Sequence, residues 1–473
     1  MKNKCTTKHQ RTGRLLLCSC AVMLLCSHAV CFAAAAPSQD DAVGIALEIL
    51  RSGDQEMQAV AIGMVKEMPG AEVTKALAKE LPNLSAKGQV QLLSALGDRG
   101  DAAALPAVVT TTKSPDPSVR TAALKALGQL GDASSVELLA EAAAGSSGEE
   151  QKAARASLYR LRGPEVDQVI VAAIPKAQPK VRVELIGGVG DRNIRAGVGT
   201  LLKTARDADR AVRIASLRTL KIVAGPEDLP ALVELLLSMA SPSDRDEAQK
   251  TVAAVAHKIE DKNRQADAVL AVLPSVKDVP GRSSLLAVLG KIGANTALPS
   301  LTAGLKDKEA EVQTAAIRAL AEWPSSEPVA DLLVVAESSG NQVHQVLALR
   351  GFVRLLGLAS QRPAEETVAM YKKAMSLSAD VGEKRAVLSG LANVKSPAAL
   401  QMVVEYLQDE ALGEEAGFAA VRIAGAIRAE FAQQADAVLN KIVQTAKSDS
   451  LRQRAKEVIS GTEQSGRDKE ENR

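Results

Sequence analysis

The chain has 473 residues, with 58 Lys and Arg against 56 Asp and Glu, 46% hydrophobic residues and only 2% aromatic ones. That apolar content excludes disorder along the whole length, and a charged fraction of 24% excludes a multi-span membrane protein. One Trp, three Tyr and four Phe are too few for a sugar-binding or single-stranded nucleic-acid platform built on stacked rings.

At the N-terminus, Lys2, Lys4, Lys8, Arg11 and Arg14 form a basic run without an acidic residue. An apolar stretch follows from Leu15 to Cys26, then an Ala-x-Ala signal at Ala33–Ala36, and the first acidic residue is Asp40. This order predicts a secretory signal peptide over residues 1–35, and with it a periplasmic or extracellular protein. The alternative is an uncleaved anchor over residues 15–36, nearly long enough to span a bilayer. Cys5, Cys18, Cys20, Cys26 and Cys31 all lie in this segment. Its removal leaves 53 basic against 56 acidic residues and no disulfide, thiol nucleophile or thiolate metal site.

Residues 36–461 read as one repeated helical unit. The clearest copy has a first helix from Asp101 through Leu105-Pro106 to Val109 and a break at Ser114-Pro-Asp-Pro. Its second helix runs from Val119-Arg120 to Leu130, with Asp116 placed to cap its start and Gly131 at its end. Equivalent first helices are expected near Asp101, Asp132, Pro164, Asn193, Pro226, Asp261, Asn295, Ser326, Pro363 and Pro397. That spacing of roughly 31 to 37 residues predicts an all-α fold, an α-solenoid of about thirteen stacked helix pairs. Each pair is apolar on two faces and must stack on its neighbours. Small residues such as Ala122, Ala123, Ala126, Ala315, Ala316 and Ala319 let helices approach closely. The tail, residues 462–473, is polar and expected to be disordered.

The pattern Leu-Pro-x-Leu, then Asp-x-x-Val-Arg-x-x-Ala-Leu-x-Ala-Leu-Gly, resembles the HEAT repeat in its bacterial, phycobilisome-lyase-like form. Leu105, Pro106, Asp116, Val119, Arg120, Ala123, Leu124, Ala126, Leu127 and Gly128 carry the likeness, and Asp209, Val212 and Arg213 repeat it. Gln313 stands where that family usually has Arg, so the Asp–Arg ladder is expected to break there. Ala319–Pro324, Val346–Arg354 and Val387–Asn393 resemble HEAT segments of secreted bacterial proteins, several of which precede a 3-keto-disaccharide hydrolase-type domain. The resemblance implies an armadillo-like superhelix and leaves function open.

The motifs of chemistry are sparse. His257 and His344 fall in different repeats, each without the acidic neighbour that a HEAT-type hydroxylase carries, and are expected to be satisfied helix residues. Glu149-Glu150, Glu365-Glu366, Asp409-Glu410 and Glu414-Glu415 stand at helix starts or loops, where carboxylates favour the helix dipole. Gly187-Gly-Val-Gly190 follows no strand and has no Lys-Ser/Thr after it, so it reads as a close helix crossing rather than a phosphate loop. Trp323 is expected to pack between repeats. No metal or cofactor is expected.

Between Gln151 and Lys221 there are fifteen basic and six acidic residues, a net of +9. From this band Arg160, Arg162, Lys176, Lys180, Arg192, Arg195, Lys203, Arg206, Arg210 and Arg218 are the candidate surface for an anionic partner. The competing reading is a solvated face with Arg stems over apolar surface. Arg120, Arg182 and Arg213 occupy a structural position of the repeat and are set aside. The expected function is a non-catalytic exported scaffold that binds a protein through its curved surface, with no nucleic acid. The alternatives are an enzyme or accessory of the bilin-lyase type, or an accessory to secreted carbohydrate breakdown.

Overall fold

The computed structural model describes residues 39–461 apart from Gly53. The expected signal peptide, its alternative as an anchor, the five cysteines and the polar tail lie outside the described residues. Among the described residues there are 26 α-helices and no strand, from α1 (Gln39–Arg51) to α26 (Asp449–Ser460). Odd-numbered helices pair with the even-numbered ones that follow them, giving thirteen pairs.

The second helices are α2 (Gln55–Glu67), α4 (Ala86–Arg99), α6 (Pro117–Leu130), α8 (Gly148–Arg160), α10 (Pro179–Asp191) and α12 (Arg210–Val223), starting every 31 residues. They continue as α14 (Pro242–Ala256), α16 (Val279–Ile292), α18 (Ala310–Ala321), α20 (Gln342–Leu356), α22 (Val381–Leu391), α24 (Gly413–Ile427) and α26. From Gln342 to Val381 the step is 39 residues, beyond the expected range, because residues 357–363 form an irregular connection.

Two local devices set the register. The first is the expected aspartate cap: the Asp116 carboxylate accepts from the Ser118 and Val119 amides at 2.7 and 3.3 Å, and Asp209 does the same for Ala211 and Val212 at 2.8 and 3.2 Å. Each satisfies donors that a helix start leaves open. The second sits at the fourth residue of the second helix, whose side chain reaches back to carbonyls of the preceding loop. Arg120 donates to Ser114 O at 3.0 Å and Arg213 to Asp207 O at 2.9 Å. Gln313 donates to Asp307 O at 2.5 Å and Gln345 to Ser339 O at 2.8 Å. The ladder breaks at Gln313 as expected: its amide keeps the donor to the loop, while the cross-repeat ion pair that Arg120 makes with Glu150 and Arg213 with Asp244 is lost.

Along most of the chain second helices pack on one another more extensively than successive first helices do. The second helices thus form the more closely packed of the two layers, which we term the inner face. Their crossings use small residues. A Cβ on Gly128 would meet the Ser157 backbone at 2.7 Å, and one on Gly290 would meet Ala319 Cβ at 2.5 Å and its Cα at 2.7 Å. At Gly190 the contact is looser, with a Cβ 3.3 Å from Thr219 Cγ2, and it puts the Gly187–Gly190 run at a helix crossing inside α10. The glycine is the twelfth residue of one second helix, and its neighbour is the tenth residue of the next. In α2 the residues on that leading side, Met57, Val60 and Met64, are exposed.

The buried core is continuous from Ala46 to Val458 and is made mostly of Leu, Val, Ala and Ile. Tyr371, on α21 (Ala364–Leu377), is fully buried and its hydroxyl has no hydrogen-bond partner. Burial pushes its phenol up to about 12. The folded state thus holds a proton that the unfolded chain releases near pH 10. The Tyr371 contribution to stability is complete below pH 10 and falls by about 1.4 kcal/mol per pH unit from there to about pH 12. Tyr371→Phe is expected to remove that alkaline loss and to be neutral or stabilising at pH 7, since it deletes an unsatisfied buried hydroxyl. Urea melts at pH 7 and pH 11 check this, and a destabilised variant at pH 7 would contradict it.

Candidate functional site on the inner face

The basic band is largely tied to acids one repeat further on. Arg213 Nε meets Asp244 at 2.7 Å, and Arg195 pairs with Glu227. Arg206 lies 3.9 Å from Glu234 and Arg218 3.8 Å from Glu247, while Lys221 also pairs with Glu247. Arg210 donates to Ser243 Oγ at 3.4 Å. Arg182 clamps the carbonyls of Ile174 and Ala177 and pairs with Asp207. Arg120 joins Glu150 at 2.8 Å, and that hydrogen bond holds the Glu150 carboxyl below the usual range. Glu227, Glu234, Asp244 and Glu247 all lie beyond Lys221, so the +9 of the band is not a net surface charge.

Arg192 is withdrawn from the candidate surface. Its Nε meets Asp167 at 2.7 Å and its Nη1 donates to the carbonyls of Tyr159 and Leu161 at 2.7 and 2.8 Å, so it caps the end of α8. Lys258 caps α12 likewise through Ile222 O and Ala224 O, and burial draws its ammonium below the usual range. A cation at these carbonyls also complements the negative end of the helix dipole. Arg160, Arg162, Lys176, Lys180 and Lys203 remain exposed. They lie on α8, on the connections around α9 (Val166–Ala173), and on α10 and α11 (Val198–Thr204), so no single helix face gathers them.

The other sequence candidates have structural partners. His344 is buried with Nε2 2.8 Å from Thr314 Oγ1, and His257 Nε2 lies 3.0 Å from Ile292 O. Glu149 and Glu150 diverge, the first to Lys152 and the second to Arg120. Asp409 caps the amides of Ala411 and Leu412. Among the described residues no three His, Cys, Asp or Glu side chains converge as metal ligands do, and no helix is long and apolar enough to cross a membrane.

Sequence reasoning missed a cleft of about 490 Å³ between α18 and α20 on the inner face. Leu347, Ala321 and Gly351 form its floor, and Arg318 and Arg350 stand on its two sides. The helices close together beneath it, since a Cβ on Gly351 would lie 2.4 Å from Ala321 Cβ. Arg354, also in the lining, donates to Ala321 O at 2.8 Å and Trp323 O at 2.5 Å, which fixes the end of α18. The side chains of Arg318 and Arg350 are exposed and have no hydrogen bond or ion pair among the described residues. Each is the ninth residue of its helix, a row that also carries Arg218 and Lys250; those two have acidic neighbours at 3.8 and 2.5 Å. Three Arg and the single Glu322 in the lining leave the cleft at +2. A signal existed in the sequence, because alignment of the repeats superposes Arg318 on Arg350, 32 residues apart.

The architecture defines a repeat protein of the α-solenoid class. Residues 74–159 and 166–253 match the family model described as HEAT repeats. No curated protein matches the chain. Among solved structures it is similar to the karyopherin Kap121p bound to the extreme C-terminus of the protein phosphatase Cdc14p, with a TM-score of 0.55 and 12% identity over 89% of this chain and 53% of that one. It is similar also to Kap121p bound to Nup53p and to Kap121p bound to Ste12p, each with a TM-score of 0.53, 13% identity and the same coverage. The chain thus spans about half the length of the karyopherins it matches, and at this identity the likeness is one of fold.

Proposed function

We propose that the protein is exported and acts as a non-catalytic scaffold that holds a protein partner against its inner face. The observation that carries this reading is the cleft between α18 and α20, where two unpaired guanidinium groups stand beside apolar surface on the inner face. Unpaired Arg beside apolar surface is the composition of an interface anchor, and a solenoid presents such anchors along a long concave surface. The similar karyopherin structures, bound to the extreme C-terminus of Cdc14p, to Nup53p and to Ste12p, support protein binding as a use of this fold. The leader-like segment at 1–35 supports export.

Capture from native cell-envelope extract, with the full chain as bait at low and high salt, tests the proposal. A retained protein that is lost at high salt is the expected result. Retention of a pigment or nucleic acid without protein would overturn it. The amino-terminal sequence of the protein recovered from cells tests export, and a start at Ala36 is expected.

A further inference from the structure

The cleft has features that narrow its occupant. Arg318 and Arg350 occupy the same position of adjacent second helices, so their stems rise about 8–10 Å apart, the usual distance between packed helices. The floor between them is hydrocarbon from Leu347 and Ala321. Arg354 is held by two carbonyls, which leaves Arg318 and Arg350 as the groups free to turn toward a ligand. Glu322, one turn beyond Arg318 in the same lining, repels an anion on its side and leaves the Arg318–Arg350 line as the favoured track. Both Arg side chains are exposed to solvent, so a small anion there keeps much of its water and gains nothing from the floor.

We infer that this cleft binds an extended acidic segment of a partner protein, with the pattern acidic–x–apolar–x–acidic. In an extended strand, residues i, i+2 and i+4 face one side and span about 13 Å. Two carboxylates in that register reach the two guanidinium groups through long, flexible side chains, and the apolar residue between them lies on Leu347 and Ala321. Arg recognises carboxylate through paired, charge-assisted hydrogen bonds. The inference deepens the scaffold reading and rests on it for the identity of the partner as a protein.

The test uses the full chain and a fluorescein-labelled peptide with the core Glu-Gly-Leu-Gly-Glu, read by fluorescence anisotropy. Saturable binding is expected, weakened at least about tenfold for each Arg in R318Q/R350Q and nearly unchanged in K176Q/K180Q. Replacing the peptide Leu by Gly weakens it as well. Both Arg are exposed, so the double variant is expected to melt as the wild type does, which circular dichroism checks. Absence of saturable binding, equal binding by R318Q/R350Q, or inorganic phosphate bound as tightly as the peptide would each overturn the inference. A captured partner indifferent to R318Q/R350Q would sink this site and leave the scaffold standing. Peptide binding with no captured partner would do the reverse.

Discussion

Trp323→Ala is expected to cost about 3–5 kcal/mol and to split the thermal transition. Trp323 is fully buried at the end of α18. It takes the place that Leu130 and Val223 fill in the repeats of α6 and α12, with a far larger side chain. Its indole Nε1 has no hydrogen-bond partner, so its contribution is packing alone, and Trp323→Phe should retain most of it. Its carbonyl accepts from Arg354 at 2.5 Å, which ties the site to α20. Repeat proteins derive stability from each unit and its nearest neighbours. A cavity here weakens the pairs on both sides, and α17 (Leu298–Gly304) to α20 should exchange amide hydrogens first. Circular dichroism melts with hydrogen exchange check this. A single melt unchanged from wild type would contradict it.

Gly290→Val is the second large effect. On α16 the added Cβ alone would stand 2.5 Å from Ala319 Cβ and 2.7 Å from its Cα. The backbone cannot yield there without opening the α16–α18 crossing, and overpacking of this kind costs about 1–3 kcal/mol, at the upper end where backbone is struck. The contrast is Gly199 on α11, where nothing lies within 4 Å of an added Cβ. Gly199→Ala should stabilise by roughly 0.5–1 kcal/mol through helix propensity and a less flexible unfolded chain. Denaturant titration of both variants decides. Equal effects would show that the crossing is not close-packed.

The helical solenoid was legible because its signals are local. Asp116, Pro117 and Gly131 mark helix ends within a few residues, and Val119, Ala123, Leu124 and Leu127 mark the buried side of one helix. The charge reading failed where contacts cross repeats. Arg195, Arg206, Arg213 and Arg218 meet Glu227, Glu234, Asp244 and Glu247, about one repeat downstream. A sum over consecutive residues counts the cations and leaves out their partners. For the same reason Arg318 and Arg350 escaped notice: nothing nearby in sequence enriches them in charge, and only the repeat register sets them side by side. Gln313 was legible as a broken rung from residue type alone, while its retained hydrogen bond to the Asp307 carbonyl was not.

The central claim is that the inner face holds the partner. Hydrogen exchange of the full chain, alone and with the captured partner, tests it most directly. The account predicts slowed exchange along the second helices, greatest in α18 and α20, with the first helices unchanged. Protection confined to the first helices, or spread evenly over both layers, would contradict it.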